Sequence, residues 1–180
     1  MIKILLFLSC LVCVQDNPPV LSWSASYKLS WKDFKAKPNM NDGAVAVTSS
    51  GITFGYSITQ TDTKEVVSYT SEVHAHFYPE QSWYKIERAD NHILGHEQLH
   101  FDITELYARK FRYRISQLKL SNTIRRQLKG IHNDINAELS KMQNTYDSET
   151  DYSRNFEAQA EWKITMDAEL AKYSQYKSIN

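Results

Sequence analysis

The stretch HILGHEQLHFDITELYARK, residues 92–110, decides how the chain reads. It contains no proline and sets His96, Glu97 and His100 among Leu94, Leu99, Phe101 and Ile103. The apolar spacing predicts an amphipathic helix. On that helix His96 and His100 are four residues apart, so both imidazoles leave the same face about one turn from each other. Two ring nitrogens so placed can converge on one zinc ion at about 2 Å each. Glu97 lies about 100° around the helix from His96. That position suits it poorly as a ligand, but leaves it near a water held by the metal. A carboxylate there can take the proton of that water as it attacks a carbonyl, then deliver it to the leaving amine. The spacing is the His-Glu-x-x-His motif of metallopeptidases. The competing reading is an ordinary helix with a wet polar face.

Neighbouring residues divide by helical angle. Gly95 is a poor helix former, and its place before His96 hints at close packing. His92 repeats the four-residue spacing, but drifts about 40° per step and so swings away from the metal as a surface residue. Asp102 and Glu105 point away from the two histidines, as surface charge or as contacts behind the ligands. Tyr146 and His132 are candidates for hydrogen-bond donors to a transition state. His132 reads as structural, as a lone histidine on an amphipathic helix usually is.

The 180 residues suffice for one domain with its own core, placed at residues 22–175. Hydrophobic residues make up 42% and charged residues 23%, a globular balance. With 21 basic and 21 acidic residues the net charge is zero, so nothing in the composition favours nucleic acid. The opening MIKILLFLSCLVCVQDNPP places Lys3 before an apolar run from Ile4 to Val14. That run is too short to span a bilayer and has the length of a signal-peptide core, so residues 1–15 are read as an export signal. Secretion, to the periplasm or cell envelope or beyond, is expected. Both cysteines, Cys10 and Cys13, fall in this segment. Its removal leaves no disulfide framework and no thiol nucleophile. A second reading of FLSC is a lipoprotein box, which makes Cys10 a lipid anchor. No other apolar run is long enough for a membrane span.

Residues 27–85 have strand texture. YKLSWKDFKA (27–36) and VVSYTSEVHAHFY (66–78) alternate apolar and polar, and AVAVTSSGITFGYSIT (44–59) is rich in β-branched residues. Turn chemistry at 37–43 and 59–65 separates them. Val73, Ala75 and Phe77 should face one side of their strand, with His74 and His76 on the other as a solvated pair. From about residue 90 the texture is helical. One helix carries the motif towards Leu118, a second covers roughly 122–143, and a third roughly 154–173, with a polar loop NTYDSETDYS (144–153) between the last two. Strands first and helices after indicate an α+β fold, an N-terminal sheet followed by three helices.

HILGHEQLHFDITELYARKFR (92–112) resembles the signature helix of a bacterial family described as predicted secreted zinc-dependent proteases, long a domain of unknown function. LSWKDFKAKP (29–38), AVTSSGITFGY (46–56), SWYK (82–85), YDSET (146–150) and QAEW (159–162) resemble that family in the same order. The resemblance implies a zincin-like metallopeptidase with zinc on His96 and His100, Glu97 as general base, and a peptide or protein as substrate. It also implies a third ligand at the histidine of a Tyr-Asp-x-x-Thr-x-His pattern. Here that position is Tyr152. A phenol, with a pKa near 10, is a weaker zinc ligand than imidazole at neutral pH. The candidates are Tyr152 by position, then Asp147 and Glu149 by chemistry. The departure at Tyr152 also keeps a noncatalytic module in view, with or without metal, serving an envelope interaction.

Overall fold

The computed structural model describes residues 19–178; the expected export signal, with Cys10 and Cys13, lies outside them. Five strands precede three helices. They are β1 (Leu21–Ser22), β2 (Ala46–Val47), β3 (Ser50–Gln60), β4 (Val66–Phe77), β5 (Trp83–Tyr84), α1 (Asn91–Ser116), α2 (Ile124–Glu149) and α3 (Phe156–Lys172). The fold is α+β with a small N-terminal sheet, as the change of texture near residue 90 predicts. Among the described residues no helix is long and apolar enough to cross a membrane.

β3 and β4 form a long antiparallel hairpin, closed where Thr61 N–H donates to the Glu65 carbonyl at 2.9 Å. Lys64 takes a left-handed φ of 66° to make that turn. The short β1 adds to the other edge of β4, and β2 pairs only with β5 in a separate two-stranded ladder. Val73, Ala75 and Phe77 are buried as the alternation of β4 predicts, while His74 and His76 share the other face, their rings stacked 5.8 Å apart.

The segment 27–36 is not a strand. Its alternation of Leu29, Trp31 and Phe34 is used by an extended stretch broken by a one-turn helix, Trp31–Asp33. Asp33 draws the chain round by accepting from the Ser30 N–H at 2.7 Å and the Ser30 hydroxyl at 3.0 Å. Trp31 then stacks on Tyr84 at 4.6 Å, and Phe34 meets Phe77 edge-on at 5.1 Å.

α1 is the centre of the molecule. Asp90 caps it by accepting from the Ile93 N–H at 2.8 Å. Leu99, Phe101, Ile103, Leu106, Phe111 and Ile115 are buried against β3 and β4 and against α2 and α3. A helix covered on so many sides buries charges too. Asp102 accepts from Trp23 Nε1 at 2.7 Å and from Gln98 Nε2 at 2.9 Å, and Glu105, fully buried, accepts from Arg109 Nε at 2.8 Å. Neither acid is the surface charge that helical angle alone allowed. Burial pushes the Asp102 carboxyl up, a shift partly offset by the Trp23 bond and the Lys28 charge.

α2 runs well beyond its expected end, through Glu149, so that most of the expected polar loop is helix. Its buried stripe, Ile124, Leu128, Ile135 and Leu139, continues on the same spacing to Tyr146, which is fully buried. The Thr150 hydroxyl seals the end by donating to the Tyr146 carbonyl at 2.7 Å. Midway along α2, Gly130 is exposed, and a Cβ there would meet nothing within 4 Å. Gly130→Ala should therefore stabilise the fold by about 0.5–1 kcal/mol through reduced unfolded-state entropy. A urea midpoint that falls on this substitution contradicts the open helical surface described here.

Candidate metal centre

The second turn of α1 meets the last two turns of α2. His96 and Glu97 are buried and His100 nearly so. Asp147, on α2, brings Oδ1 to 3.1 Å from His96 Nε2 and 2.9 Å from His100 Nε2, and the two imidazole nitrogens are 3.1 Å apart. Among the described residues these three form the group whose donors converge as a metal requires. Three donors at zinc bonds of about 2.0–2.1 Å in tetrahedral array stand roughly 3.3 Å apart. The observed triangle is slightly tighter and fits a cation of that size.

Of the three candidates for a third donor, Asp147 is the one whose carboxylate oxygen lies beside both histidine nitrogens. Tyr152 is 64% exposed, with a left-handed φ of 53°, and lies at the mouth of the cleft beneath the Arg154 guanidinium. Position in sequence ranked it first, but the helical continuation of α2 carries Asp147 to the histidines instead. Glu149 is turned elsewhere, accepting from Trp162 Nε1 at 2.8 Å.

Asp147 sits where its own helix disfavours it. A carboxylate in a C-terminal helical turn opposes the helix dipole, at a cost of about 0.3–1 kcal/mol. The histidines offset this. Burial raises the Asp147 carboxyl, but bonds from His100 and His96 outweigh that and hold it well below the usual carboxylate range. Burial likewise lowers the His100 imidazole, and the Asp147 bond with the charges of Glu97 and Asp147 reverses the shift and raises it.

Aromatic packing fixes the histidine rings. Tyr146 stacks on His96 at 4.5 Å, meets His100 edge-on at 5.0 Å, and points its hydroxyl at the His96 carbonyl, 3.5 Å away. Buried there beside Glu97 and Asp147, its phenol is held far above its ordinary pKa and stays protonated. Gln143, one helical turn before Asp147, meets His100 Nδ1 through its side-chain oxygen. Residue type and spacing in sequence single out neither this glutamine nor its role.

The other sequence-selected residues separate from the centre. His92 swings away from the donors as its angle requires, yet it is not a free surface residue. Its Nε2 lies 2.7 Å from the Ser153 carbonyl and its ring stacks on Phe156 at 3.6 Å. His132 packs against Phe54 and Phe111, a structural place. Gly95 is not forced by close packing, since a Cβ would meet only the Gln159 amide, at an ordinary 3.6 Å.

The donors open into a cleft of about 610 Å³ whose far wall is residues 42–48 and whose rim carries Arg88 and Arg154. Glu97 lines this cleft, and its Oε2 is buried without a hydrogen-bond partner among the described residues. The Thr48 hydroxyl binds the Glu97 backbone carbonyl at 3.2 Å, tying the wall to α1.

The architecture is therefore an α+β domain with a His-His-Asp donor set between two helices, opening into a cleft. The family described as "Bacterial protein of unknown function (DUF922)" matches residues 24–154, and the chain belongs to that family. The matched span includes all three donors and Glu97 and ends before α3. No curated protein and no solved structure matches the chain.

Proposed function

We propose that the chain is an exported, zincin-like zinc metallohydrolase acting on peptide bonds. The observation that carries this reading is the convergence of His96 Nε2, His100 Nε2 and Asp147 Oδ1 within 3.1 Å of one another, with Glu97 on the same cleft. Three protein donors and one open side are the pattern of a catalytic zinc, whereas structural sites close with four. Zinc held there supplies a bound water of lowered pKa, near 7, and polarises a carbonyl.

The chain's own residues do the rest. Glu97, with an unpartnered oxygen, accepts the proton of the attacking water and returns it to the leaving amine. Tyr146 keeps the His96 ring in plane by stacking. β2 bonds to β5 along one edge only, and its residues line the cleft, so an extended peptide can add as a neighbouring strand. That wall favours a peptide over a compact substrate.

Metal analysis tests this directly. Purified protein loaded with zinc should hold about one ion per chain, and the His96→Ala, His100→Ala double variant none. Structural zinc is bound by about 10–16 kcal/mol over four ligands, so Asp147→Ala should weaken affinity by about 100-fold or more. Tyr152→Phe should leave it unchanged. A wild-type protein that takes up no zinc ends the proposal. A second reading, a metal-binding module without catalysis, is favoured by Tyr152 standing where the resembled pattern has histidine, and the Glu97 variant discussed below separates the two.

A further inference from the structure

We propose that Gln143 is a positioning residue that holds the His100 imidazole in the tautomer protonated at Nδ1, leaving Nε2 free to bind the cation. The inference rests on the metal reading above and reaches a residue that the motif does not contain.

The argument starts from the amide. Gln143 Nε2 donates to the His100 backbone carbonyl at 2.9 Å and lies 3.3 Å from the Thr104 hydroxyl oxygen. Thr104 is itself fixed, since its hydroxyl contacts the Ser50 hydroxyl at 2.7 Å and lies 3.1 Å from the His100 carbonyl. Turning the amide over would set two carbonyl oxygens against each other. The NH₂ group therefore faces the His100 carbonyl, and the amide oxygen faces His100 Nδ1. An amide oxygen is an acceptor only, so Nδ1 must carry a proton.

In the neutral ring that proton leaves a lone pair on Nε2. The lone pair faces Asp147 Oδ1 at 2.9 Å and His96 Nε2 at 3.1 Å. Two electron-rich atoms at that distance repel unless a proton or a metal ion lies between them. The geometry thus serves both states of the centre, with Nδ1–H on Gln143 in each. His96 has no counterpart to this support, because its Nδ1 is buried with no partner among the described residues. Its ring is held by the Tyr146 stack and by the contact of its Nε2 with Asp147. Of the two histidines, His100 is the one whose donor atom is chemically specified from behind.

Gln143, Tyr146, Asp147 and Thr150 recur at the three- and four-residue spacing of one helix face. A ligand, the aromatic that stacks on the histidines, the orienting amide and the helix-end seal are thus carried together by α2.

The test uses the whole protein. Gln143→Met keeps the length of the side chain and removes the acceptor. Loss of such an outer-shell partner typically costs 10–100-fold in metal affinity. Zinc affinity by competition with a chromophoric chelator should fall by that factor, with Gln143→Glu, which keeps an acceptor at Nδ1, falling between. Long-range ¹H–¹⁵N NMR of the wild-type ring should show a solvent-protected proton on His100 Nδ1 in metal-free and zinc-loaded protein alike. That protection should vanish in Gln143→Met. A wild-type spectrum with Nδ1 bare overturns the proposal without any variant having to fold. So does a folded Gln143→Met with unchanged affinity and unchanged Nδ1 protection. Failure of the metal reading is a different result: no zinc uptake by the wild type, with the protected Nδ1 proton still present.

Discussion

Glu97→Gln should leave zinc bound at the wild-type level and lower peptide hydrolysis by about 10²–10⁴-fold, the usual contribution of a positioned general base. Glutamine fills the same space at a site that is only 4% exposed, so the substitution opens no cavity. The Thr48 hydroxyl, from the cleft wall, binds the Glu97 backbone carbonyl, a contact that survives the change. None of the three donor atoms belongs to Glu97. What disappears is the carboxylate oxygen without a partner, and with it the acceptor for the proton of water. Metal content and cleavage of a fluorogenic protein substrate, measured on the same preparation, give both halves of the result. A variant that keeps its zinc and every activity of the wild type favours the noncatalytic module instead.

Arg109→Ala should destabilise the fold by about 3–5 kcal/mol, the range for removing one partner of a buried ion pair. Glu105 is fully buried, and Arg109 Nε lies 2.8 Å from its Oε1, while the alternative partner, Arg112 Nη1, is at 3.5 Å. The same guanidinium donates to the Leu170 carbonyl at 2.6 Å and covers the Trp23 ring at 5.1 Å. Truncation therefore leaves the carboxylate with only the longer Arg112 contact, and strands a carbonyl near the end of α3 and an aromatic face. The loss is a large share of the 5–15 kcal/mol typical of a whole domain. Urea unfolding with an unchanged m-value measures it. Glu105→Leu combined with Arg109→Met should recover part of it, since two apolar side chains of similar volume replace the buried pair. Arg112 then loses its longer contact to Glu105 and keeps its bonds to the Val73 and Tyr176 carbonyls. A single-variant loss below about 1 kcal/mol contradicts the burial of the pair.

The helix bearing His96, Glu97 and His100 was legible because a long, proline-free amphipathic pattern has one periodicity and no competing reading. The hairpin was legible for a similar reason, its alternation of Val73, Ala75 and Phe77 bounded by turn residues. The segment 27–36 misled because alternation there serves a capped turn. Ser30 and Asp33, three residues apart, are the signal of that turn, and they lie inside the alternating stretch. The end of α2 misled through polarity, since residues 144–153 have loop composition. Extending the stripe from Ile124, Leu128, Ile135 and Leu139 by its own spacing lands on Tyr146. That step alone puts Asp147 on a helix beside the histidines. Asp102 and Glu105 hid for a different reason. Angular position on one helix says where a side chain points, but not how many neighbours enclose that helix. Gln143 leaves no trace in sequence, because an amide that orients a ligand differs from any solvated glutamine only in what it touches.

His100 and Asp147 are 47 residues apart, on different helices. As soon as α1 coils, it offers a bidentate stub; the third donor arrives only when the far end of α2 docks. On the proposed metal reading, ion uptake falls late in assembly, after tertiary structure rather than before it. A cation clasped there would add one more tie between two helices that Gln143 and Tyr146 already join at that end.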